Sequence, residues 1–395
     1  MTGRNRASAP PRPIAPGDVV AAFSIALAEW TAAQIICVDA ADEVAAVLEL
    51  DWSGPEPSSV ADLGDVSPLR LTHHSWNGVL SYCNYEWVLP RSYKVIGALP
   101  PLHDEPSCSY STGWRLGDQL ARQRRWDGGV RADPADPRAA DHTGAEINDL
   151  LDGPDEPHPD IQILDVEGIE SLDCERLVRR FPNLRILTLG GDLGLLSAAA
   201  ALNGLESLQR IEIVDLFGMG RDDRLLPRSV PALEALILHG VPAEYATAMR
   251  STWRPEIPNG TYIQISGARK PDWVAENRNN PLRDWDGRGH ISSGRFKKAV
   301  AHYKSTRRAV MEVLSSDPGP DPDPDGPARL VEIGRRYGEA FNRLDGRAPF
   351  IETEEREELF AALDRIVDEA EAAHGADLAW ARVSLESGVE SVRDW

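Results

Sequence analysis

The most regular pattern of apolar and polar positions is the spacing LxxLxL, which recurs between residues 161 and 265. Four copies and a degenerate fifth occupy residues 161–166, 184–189, 208–213, 233–238 and 260–265, with starts 23, 24, 25 and 27 residues apart. Side chains alternate along a strand, so each copy predicts a short strand whose fourth and sixth positions are buried. Helical patterns at residues 173–180 and 243–250 follow two of the copies. The predicted unit is therefore a strand followed by a helix.

This register resembles the leucine-rich-repeat family, whose units are about 20–29 residues long. The resemblance covers residues 159–270 and implies a short solenoid of strand-plus-helix units. The family usually places Asn or Cys three residues after the last motif leucine, and this chain departs from that pattern. The residues found there are Ile169, Asp192, Leu216, Val241 and Ala268. The turn after each strand must therefore be stabilised in another way.

The outward positions of the predicted strands form the candidate docking site. They are Asp165, Glu167, Thr188, Arg210, Glu212, Ile237, His239, Tyr262 and Gln264. Five strands at ~4.8 Å spacing give a strip roughly 20 Å wide, which suits a peptide or one edge of a protein. The resemblance implies a protein or peptide partner on this face. The alternative is that neighbouring parts of the chain cover the face and the repeats act only as a spacer.

The N-terminal region is predicted as a disordered tail, residues 1–16, followed by an α+β domain, residues 17–131. A helix is expected at the start of this domain, capped by Asp18. Its apolar face would consist of residues at helical spacing: Val20, Phe23, Leu27 and Trp30. Residues 35–38 predict a short buried strand, whereas residues 40–50 suit a helix and a strand equally.

Residues 51–130 combine β-rich segments with proline breaks. Five tryptophans fall there: Trp52, Trp76, Trp87, Trp114 and Trp126. Their abundance fits a ligand pocket or a well-filled core, and the sequence does not decide between the two. Residues 132–158 are acidic and proline-rich, which predicts a solvated linker with at most one helical turn near residues 147–151.

The C-terminal part is predicted as a capping connector, residues 271–292, and a helical bundle, residues 293–395. Ser293 caps the first helix and Thr353 caps the third, at whose positive end Glu354 and Glu355 lie. Apolar residues at helical spacing mark three inner faces: Phe296, Val300, Tyr303, Val310 and Leu314; Leu330, Ile333, Tyr337, Phe341 and Leu344; Leu359, Phe360, Leu363, Ile366 and Val367. A shorter fourth helix is expected at residues 377–387.

An acidic Pro/Gly linker, residues 315–327, separates the first two of these helices. Before it, residues 295–308 carry six basic side chains and no acid. A helix of this kind suggests binding to nucleic acid or to an acidic partner. The third helix, residues 353–373, has eight acids and two arginines. Pairing between these two helices is therefore the favoured interpretation.

Composition narrows the class of partner and the compartment. The chain has 395 residues, of which 42% are hydrophobic, and a net charge of −21. An acidic surface repels phosphate, so nucleic acid is disfavoured as a partner. The four cysteines are far apart, and no apolar run reaches the ~18 residues that span a bilayer, which favours a cytoplasmic protein with reduced thiols and no membrane association. The apolar stretch at residues 19–27 faintly imitates a signal peptide, but the acids Asp18 and Glu29 bracket it closely.

The alternative function is an enzyme with its active site in residues 17–131 and the solenoid presenting the substrate. The candidate residues are His73, His74, His103 and Cys108. A cysteine nucleophile needs an imidazole within hydrogen-bond reach and a third group that orients it, and closeness in sequence does not supply that geometry. The two adjacent histidines would point to opposite faces of a strand, without nearby carboxylate or cysteine partners for a metal.

Glu371 and His374 have the ExxH spacing of di-iron bundles, but the C-terminal helices contain no second ExxH. The sequence also lacks the motifs GxxxxGK[ST], GxGxxG after a strand, HExxH and GxSxG. We therefore expect no metal and no cofactor, and we assign no catalytic residue.

The sequence thus predicts an α+β fold with an N-terminal mixed α/β domain, a short leucine-rich-repeat solenoid and a C-terminal helical bundle. Uncharacterised actinobacterial proteins are similar in joining such repeats to a helical tail, and that similarity implies no activity. We predict a non-enzymatic interaction protein, such as an adaptor, a regulatory subunit or an inhibitor. Its partner would dock on the strand face of the repeats.

Overall fold

The computed structural model describes residues 13–107, 111–316, 325–346 and 348–395. The chain has a mixed α+β fold with several sheets and a C-terminal helical region, which confirms the predicted class. It divides into two compact units, Met1–Lys270 and Pro271–Trp395. Residues 1–12 of the predicted tail, Cys108, and residues 317–324 of the predicted Pro/Gly linker lie outside the described residues.

The first unit begins with a six-stranded sheet, which we call the N-terminal sheet. Its strands are β1 (Asp18–Ser24), β2 (Glu29–Asp39), β3 (Val44–Gly54), β6 (Tyr82–Glu86), β7 (Lys94–Ala98) and β8 (Ser111–Thr112), in the spatial order β7-β1-β2-β3-β6-β8. Neighbouring strands are antiparallel except β6 and β8. A short hairpin of β4 (Arg70–Leu71) and β5 (Val79–Leu80) and the helix α1 (Asp118–Asp127) accompany the sheet.

Both faces of the centre of this sheet are covered by apolar side chains. Val20 and Val47 belong to one buried cluster, whereas Val19 and Leu50 belong to another. The sequence of a strand that is buried on both faces is a continuous apolar run, without the alternation of apolar and polar residues that marks a half-exposed strand. The central strands therefore carry a sequence pattern that periodicity alone does not separate from a buried helix.

The helix predicted from Asp18 is wrong, because these residues form the hairpin of β1 and β2. Ala28 adopts a φ of 55° in its turn. Phe23 and Trp30 lie opposite each other across the hairpin, with ring centroids 6.4 Å apart. A spacing that fits two helical turns thus also fits two paired strands. The strand predicted at residues 35–38 is confirmed as part of β2, and the ambiguous segment at residues 40–50 contributes most of its length to β3.

The second sheet of this unit, which we call the parallel sheet, has six strands in chain order. They are β9 (Ala139–Thr143), β10 (Ile163–Asp173), β11 (Ile186–Ser197), β12 (Arg210–Phe217), β13 (Ala235–His239) and β14 (Tyr262–Ser266). Every neighbouring pair is parallel. The fourth residue of the first four LxxLxL copies is fully buried in one core: Leu164, Leu187, Ile211 and Leu236.

The connections between the parallel strands contain helices and short 3-10 turns. The helices are α2 (Gly144–Asp152), α3 (Cys174–Arg180) and α4 (Ala243–Trp253). The helices predicted at residues 173–180 and 243–250 are therefore confirmed. Leu177 of α3 and Tyr245 of α4 are fully buried against the same core as the strands, so both helices cover the inner face of the sheet.

The parallel sheet begins inside the segment that composition placed in a linker. The linker interpretation is wrong for residues 139–152, which form β9 and α2, although the helical turn predicted near residues 147–151 is confirmed as part of α2. β9 pairs with β10, so that Ala140 lies opposite Leu164. α2 opens with a capping box between Thr143 and Glu146, and Ile147 behind it is fully buried. This Thr-x-x-Glu pattern ahead of apolar residues was the available signal, and the surrounding prolines and acids obscured it.

Left-handed backbone follows each LxxLxL copy, in place of an asparagine. In four copies the residue with positive φ lies two positions after the last motif residue: Gly168 (67°) within β10, Asp215 (50°) within β12, Gly240 (68°) after β13 and Gly267 (61°) after β14. In β11 the positive φ of 60° falls on Leu193, within a longer and irregular pairing. Glycine adopts this conformation without the steric cost of a Cβ atom. The backbone thus makes the turn that the resemblance had assigned to Asn or Cys.

We expect Gly240→Ala to lower the unfolding free energy of the first unit by about 2 kcal/mol, because left-handed backbone costs a residue with a Cβ about 1–2 kcal/mol. A Cβ at this position would also lie 1.8 Å from Oδ1 of Asp215. Gly190→Ala is the control in β11, since its Cβ would meet neighbouring atoms only at 3.8 Å or more. Urea unfolding compares the two variants, and equal stability would contradict this explanation of the turn.

The second unit is helical. Its helices are α5 (Pro271–Asn277), α6 (Ser293–Ser316), α7 (Asp325–Asp345), α8 (Thr353–His374) and α9 (Ala379–Glu390). The helices predicted in residues 293–395 are confirmed, and inner-face residues such as Tyr303, Tyr337 and Leu363 are buried in one core. The N-cap of α8 is Glu352, one residue before the predicted Thr353.

Candidate functional site

The predicted docking residues lie in register on the outer face of the parallel sheet. One row crosses five strands and contains Asp165, Thr188, Glu212, Ile237 and Gln264. Arg210 and Tyr262 belong to the preceding row. Glu167 and His239 lie two positions further along their strands than Asp165 and Ile237. The alternation read from the sequence therefore placed all nine residues on the outer face.

The chain itself covers part of this face. The Arg210 guanidinium lies 2.9 Å from the carboxylate of Glu86 at the end of β6, and Tyr262 is only 7% exposed. Gly113 permits this approach, because a Cβ there would lie 2.6 Å from Nη1 of Arg210. Burial raises the pKa of Glu86, and the charge of Arg210 opposes this rise. Two of the predicted partner-binding residues are thus engaged within the first unit.

The loop between β6 and β7 holds the same end of the parallel sheet. The Arg91 side chain donates hydrogen bonds to the Pro231 carbonyl, at 2.6 Å, and to the Thr261 hydroxyl. The Ser92 N–H donates to the Glu234 carboxylate at 2.7 Å. The Arg91 guanidinium also lies 3.6 Å from the Glu256 carboxylate. We call these contacts, together with the ion pair described above, the polar seam: Glu86–Arg210, Arg91–Pro231, Arg91–Thr261, Arg91–Glu256 and Ser92–Glu234.

The other half of the outer face, over β9 to β12, is open and acidic. We call its residues the acidic face: Asp141, Asp165, Glu167, Thr188 and Glu212. Asp141 of β9 lies opposite Asp165, and it was missed because β9 was placed in a linker. Burial raises the pKa of Asp165, and the carboxylates of Glu167, Asp141 and Glu212 raise it further. One oxygen of Asp165 is inaccessible and has no hydrogen-bond partner among the described residues.

The remaining predicted residues lie beside the covered half. Ile237 is half-buried, whereas His239 and Gln264 are exposed. Nδ1 of His239 lies 3.0 Å from the Ser266 hydroxyl. These three side chains continue the face with apolar and polar surface rather than with carboxylates.

Of the residues proposed for an enzyme site, His73 and His74 lie together and His103 has other neighbours, whereas Cys108 lies outside the described residues. His73 is 1% exposed, with its Nε2 3.0 Å from Gln119 and its Nδ1 3.0 Å from Nδ1 of His74. Burial lowers the pKa of His73. His103 packs against Tyr82 instead. These contacts favour a structural role for the histidines over a shared catalytic cleft.

A buried carboxyl group that the sequence did not single out lies in the N-terminal sheet. Glu49 of β3 is 2% exposed. It accepts hydrogen bonds from the hydroxyls of Ser81 and Tyr85, at 3.1 and 3.2 Å, and from the Gly117 N–H at 3.3 Å. Burial raises its pKa to about 7, against the effect of these hydrogen bonds. Its signal in the sequence is one acid within the apolar run of β3.

The ExxH pair of α8 takes part in helix contacts. Glu371 accepts a hydrogen bond from the Leu378 N–H at 2.8 Å and pairs with Arg382 at 2.7 Å. In the part of the chain that the structure describes, no group of three His, Cys, Asp or Glu residues is placed to hold a metal ion. No described helix combines the length and apolar character that crossing a membrane requires.

The basic helix α6 is only partly neutralised by its neighbours. Arg307 pairs with Glu369 of α8, and Arg295 donates to the Ala348 carbonyl and stacks 4.5 Å from the centre of the Phe350 ring. The other basic residues are exposed and form no ion pair with any described residue: Lys297, Lys298, Lys304 and Arg308. The predicted pairing of α6 with α8 is thus seen, among the described residues, at Arg307.

Comparison with known proteins yields no relative from which a function could be taken. No protein-family model matches the sequence, and no similar curated protein or solved structure was found.

Proposed function

We propose that the chain is a non-enzymatic interaction protein, and that residues 139–270 are a leucine-rich-repeat-type solenoid that docks a partner on the acidic face. The observation that carries the proposal is the open half of the outer face, where side chains of neighbouring parallel strands stand in register. Support for the solenoid comes from six parallel strands in chain order with the LxxLxL residues in their core. Faces of this kind serve as extended binding surfaces.

The charge of the acidic face selects a basic partner. Its four carboxylates belong to three strands, β9, β10 and β12, with Thr188 of β11 between them. A Lys or Arg side chain placed over the acidic face would relieve the repulsion among the carboxylates, which adds to the effect of burial on the pKa of Asp165. Four strands at ~4.8 Å spacing span roughly 14 Å, which suits an extended segment better than a broad interface.

This proposal can be tested by selecting peptides that bind the immobilised full-length chain from a phage-displayed library of random 12-residue peptides. We expect enrichment of peptides that carry several Lys or Arg residues and bind less tightly as salt is added. Asp165→Lys should weaken the enriched peptides by about tenfold, since a repelling charge then replaces an attracting one. Enrichment of acidic or purely apolar peptides would contradict the proposed chemistry of the partner.

Asp222→Lys is the matched control. Asp222 is fully exposed in the 3-10 turn Arg221–Asp223, which packs beside α4 on the helical side of the sheet. The two variants change the net charge equally. If they weaken peptide binding equally, the overall charge rather than the acidic face attracts the peptides, and the proposal fails. Circular dichroism establishes that both variants are folded.

A further inference from the structure

The polar seam joins two parts of the first unit that have separate apolar cores. The core of the parallel sheet draws its residues from positions 140–265. The buried clusters of the N-terminal sheet draw theirs from positions 14–120. Hydrogen bonds and two ion pairs, rather than a shared apolar cluster, therefore hold the N-terminal sheet on the outer face.

A contact of this composition opens at small cost. Water replaces the lost partners of each polar group, so the net contribution of a hydrogen bond is small. The side chains of Glu86 and Arg210 are 12% and 25% exposed, so water already reaches this pair. Burial raises the pKa of both Glu86 and Glu234, which means that the seam holds these carboxylates in surroundings less favourable than water. Polar contacts between separate cores permit relative motion.

Opening of the seam would extend the docking surface. Arg210, Ala235 and Tyr262 form one row across β12 to β14, and Ala235 and Tyr262 are 5% and 7% exposed. The next row, which contains Glu212 and Ile237, runs on from the acidic face. The covered row is thus continuous with the open half, and its release would add the covered positions of β12 to β14 to the surface.

We propose that the N-terminal sheet is an autoinhibitory cover, which leaves the outer face of β12 to β14 when the polar seam opens and so exposes the full face to the basic partner. This inference rests on the proposed function. It requires that the cover separate while both cores stay folded, and that separation strengthen peptide binding.

Charge exchange across the seam tests the separation. Glu86→Arg places a second guanidinium against Arg210, Arg210→Glu places two carboxylates together, and the double variant restores an ion pair. Hydrogen–deuterium exchange of the full chain reports the result, with the Ser92 amide and residues 260–266 as seam reporters and β3 and β11 as reporters of the two cores. We expect about tenfold faster exchange at the seam in either single variant, unchanged exchange in β3 and β11, and recovery in the double variant.

Arg91→Ala is a milder second variant, because it removes the contacts to Pro231, Thr261 and Glu256 without placing two like charges together. If Glu86→Arg loses protection throughout the first unit, the exchange of Arg91→Ala decides whether the N-terminal sheet separates from the face. Faster exchange at Ser92 alone supports the cover. Unchanged exchange at Ser92, or a loss that accompanies equal losses in β3 and β11, would overturn the inference, since the N-terminal sheet would then not separate from the face as a folded body.

Binding of the enriched basic peptides separates this inference from the proposed function. Arg91→Ala removes one positive charge, and Arg221→Ala removes the same charge on the helical side of the sheet. Binding that is about tenfold tighter in Arg91→Ala than in Arg221→Ala would therefore come from release of the cover. Unchanged binding by a variant whose seam is open overturns autoinhibition and leaves the proposed function standing. If Asp165→Lys alters the binding of none of these peptides, the proposed function fails, whatever the state of the seam.

Discussion

Replacing Glu49 by glutamine is expected to stabilise the first unit by about 3 kcal/mol near pH 8 and to remove most of the fall in stability that the wild type shows between pH 4.5 and about 7. Glutamine keeps the size of the side chain and carries no charge into the buried site. The hydroxyls of Ser81 and Tyr85 can accept a hydrogen bond from its amide as readily as they donate to the carboxylate. The packing of β3 is therefore retained.

The direction of this change in stability follows from whether the folded and the unfolded states hold a proton on Glu49. Unfolded Glu49 titrates near pH 4.5, whereas burial raises the pKa of the folded group to about 7. Between these values the folded state keeps a proton that the unfolded state has released, so stability falls as the pH rises through this window. Burial also raises the pKa of Glu86, Asp118 and Glu234, so a smaller fall remains in the variant.

Tyr85→Phe is the matched variant for this prediction. It removes a hydrogen bond that lowers the pKa of Glu49, so the fall in stability should extend to higher pH than in the wild type. The same change in the Glu49→Gln background should leave the window unchanged. Urea dependence of hydrogen exchange in β3, measured from pH 5 to 8, reports the stability of this unit by itself. A profile of Glu49→Gln that parallels the wild type would contradict the assignment.

Gly388→Ala is expected to destabilise the second unit by about 3 kcal/mol, because α7 and α9 pack with their backbones in contact. A Cβ at Gly388 would lie 2.1 Å from the Val331 carbonyl oxygen, and one at Gly334 would lie 2.2 Å from that of Leu385. No rotamer change relieves a clash with backbone. The helices must move apart, and the packing between them is then lost.

Gly294→Ala is the control, and we do not expect it to lower the stability of the second unit. Gly294 lies in the first turn of α6, and a Cβ there would meet nothing within 4 Å. Alanine favours a helix over glycine by up to about 1 kcal/mol, so this variant should be neutral or slightly more stable. Thermal unfolding followed by circular dichroism compares the two variants. Stabilisation by both would show that α7 and α9 do not pack so closely.

The helices of the second unit could be predicted because each has one apolar face and solvent on the other. Tyr337 and Leu363 fell on such faces at helical spacing, and both are buried. The close approach of α7 and α9 was not predicted. Glycine lowers helix propensity, and the sequence does not show which partner backbone lies against Gly334 and Gly388.

The strands of the N-terminal sheet were harder to predict because both of its faces are buried. Val19 to Ala22 form a continuous apolar run, so the alternation that identifies a strand is missing. Local spacing then favoured a helix, and the pairing of Phe23 with Trp30 emerges only when β1 folds against β2. Tertiary packing, which local pattern does not contain, decided the structure here.

For the candidate site, the sequence predicted which side chains lie on the outer face of the strands, but not which distant segments contact that face. Alternation within each LxxLxL copy places Asp165 and Glu212 on the outer face, and the structure brings them into one row. Contacts between distant segments were not predictable, because the Glu86–Arg210 pair joins residues 124 positions apart. Such a pair reflects how two separate cores meet. Neither core carries a sequence signal for that arrangement.

Photo-crosslinking from the outer face tests the central claim most directly. A photoreactive phenylalanine analogue is placed at position 188, in the middle of the acidic face, or at position 222 on the helical side. Each full-length chain is then irradiated with an enriched basic peptide at a concentration that saturates binding. We expect crosslinks to the peptide from position 188 and none from position 222. Binding that persists without a crosslink from position 188, or that gives one from position 222, would contradict docking on the acidic face.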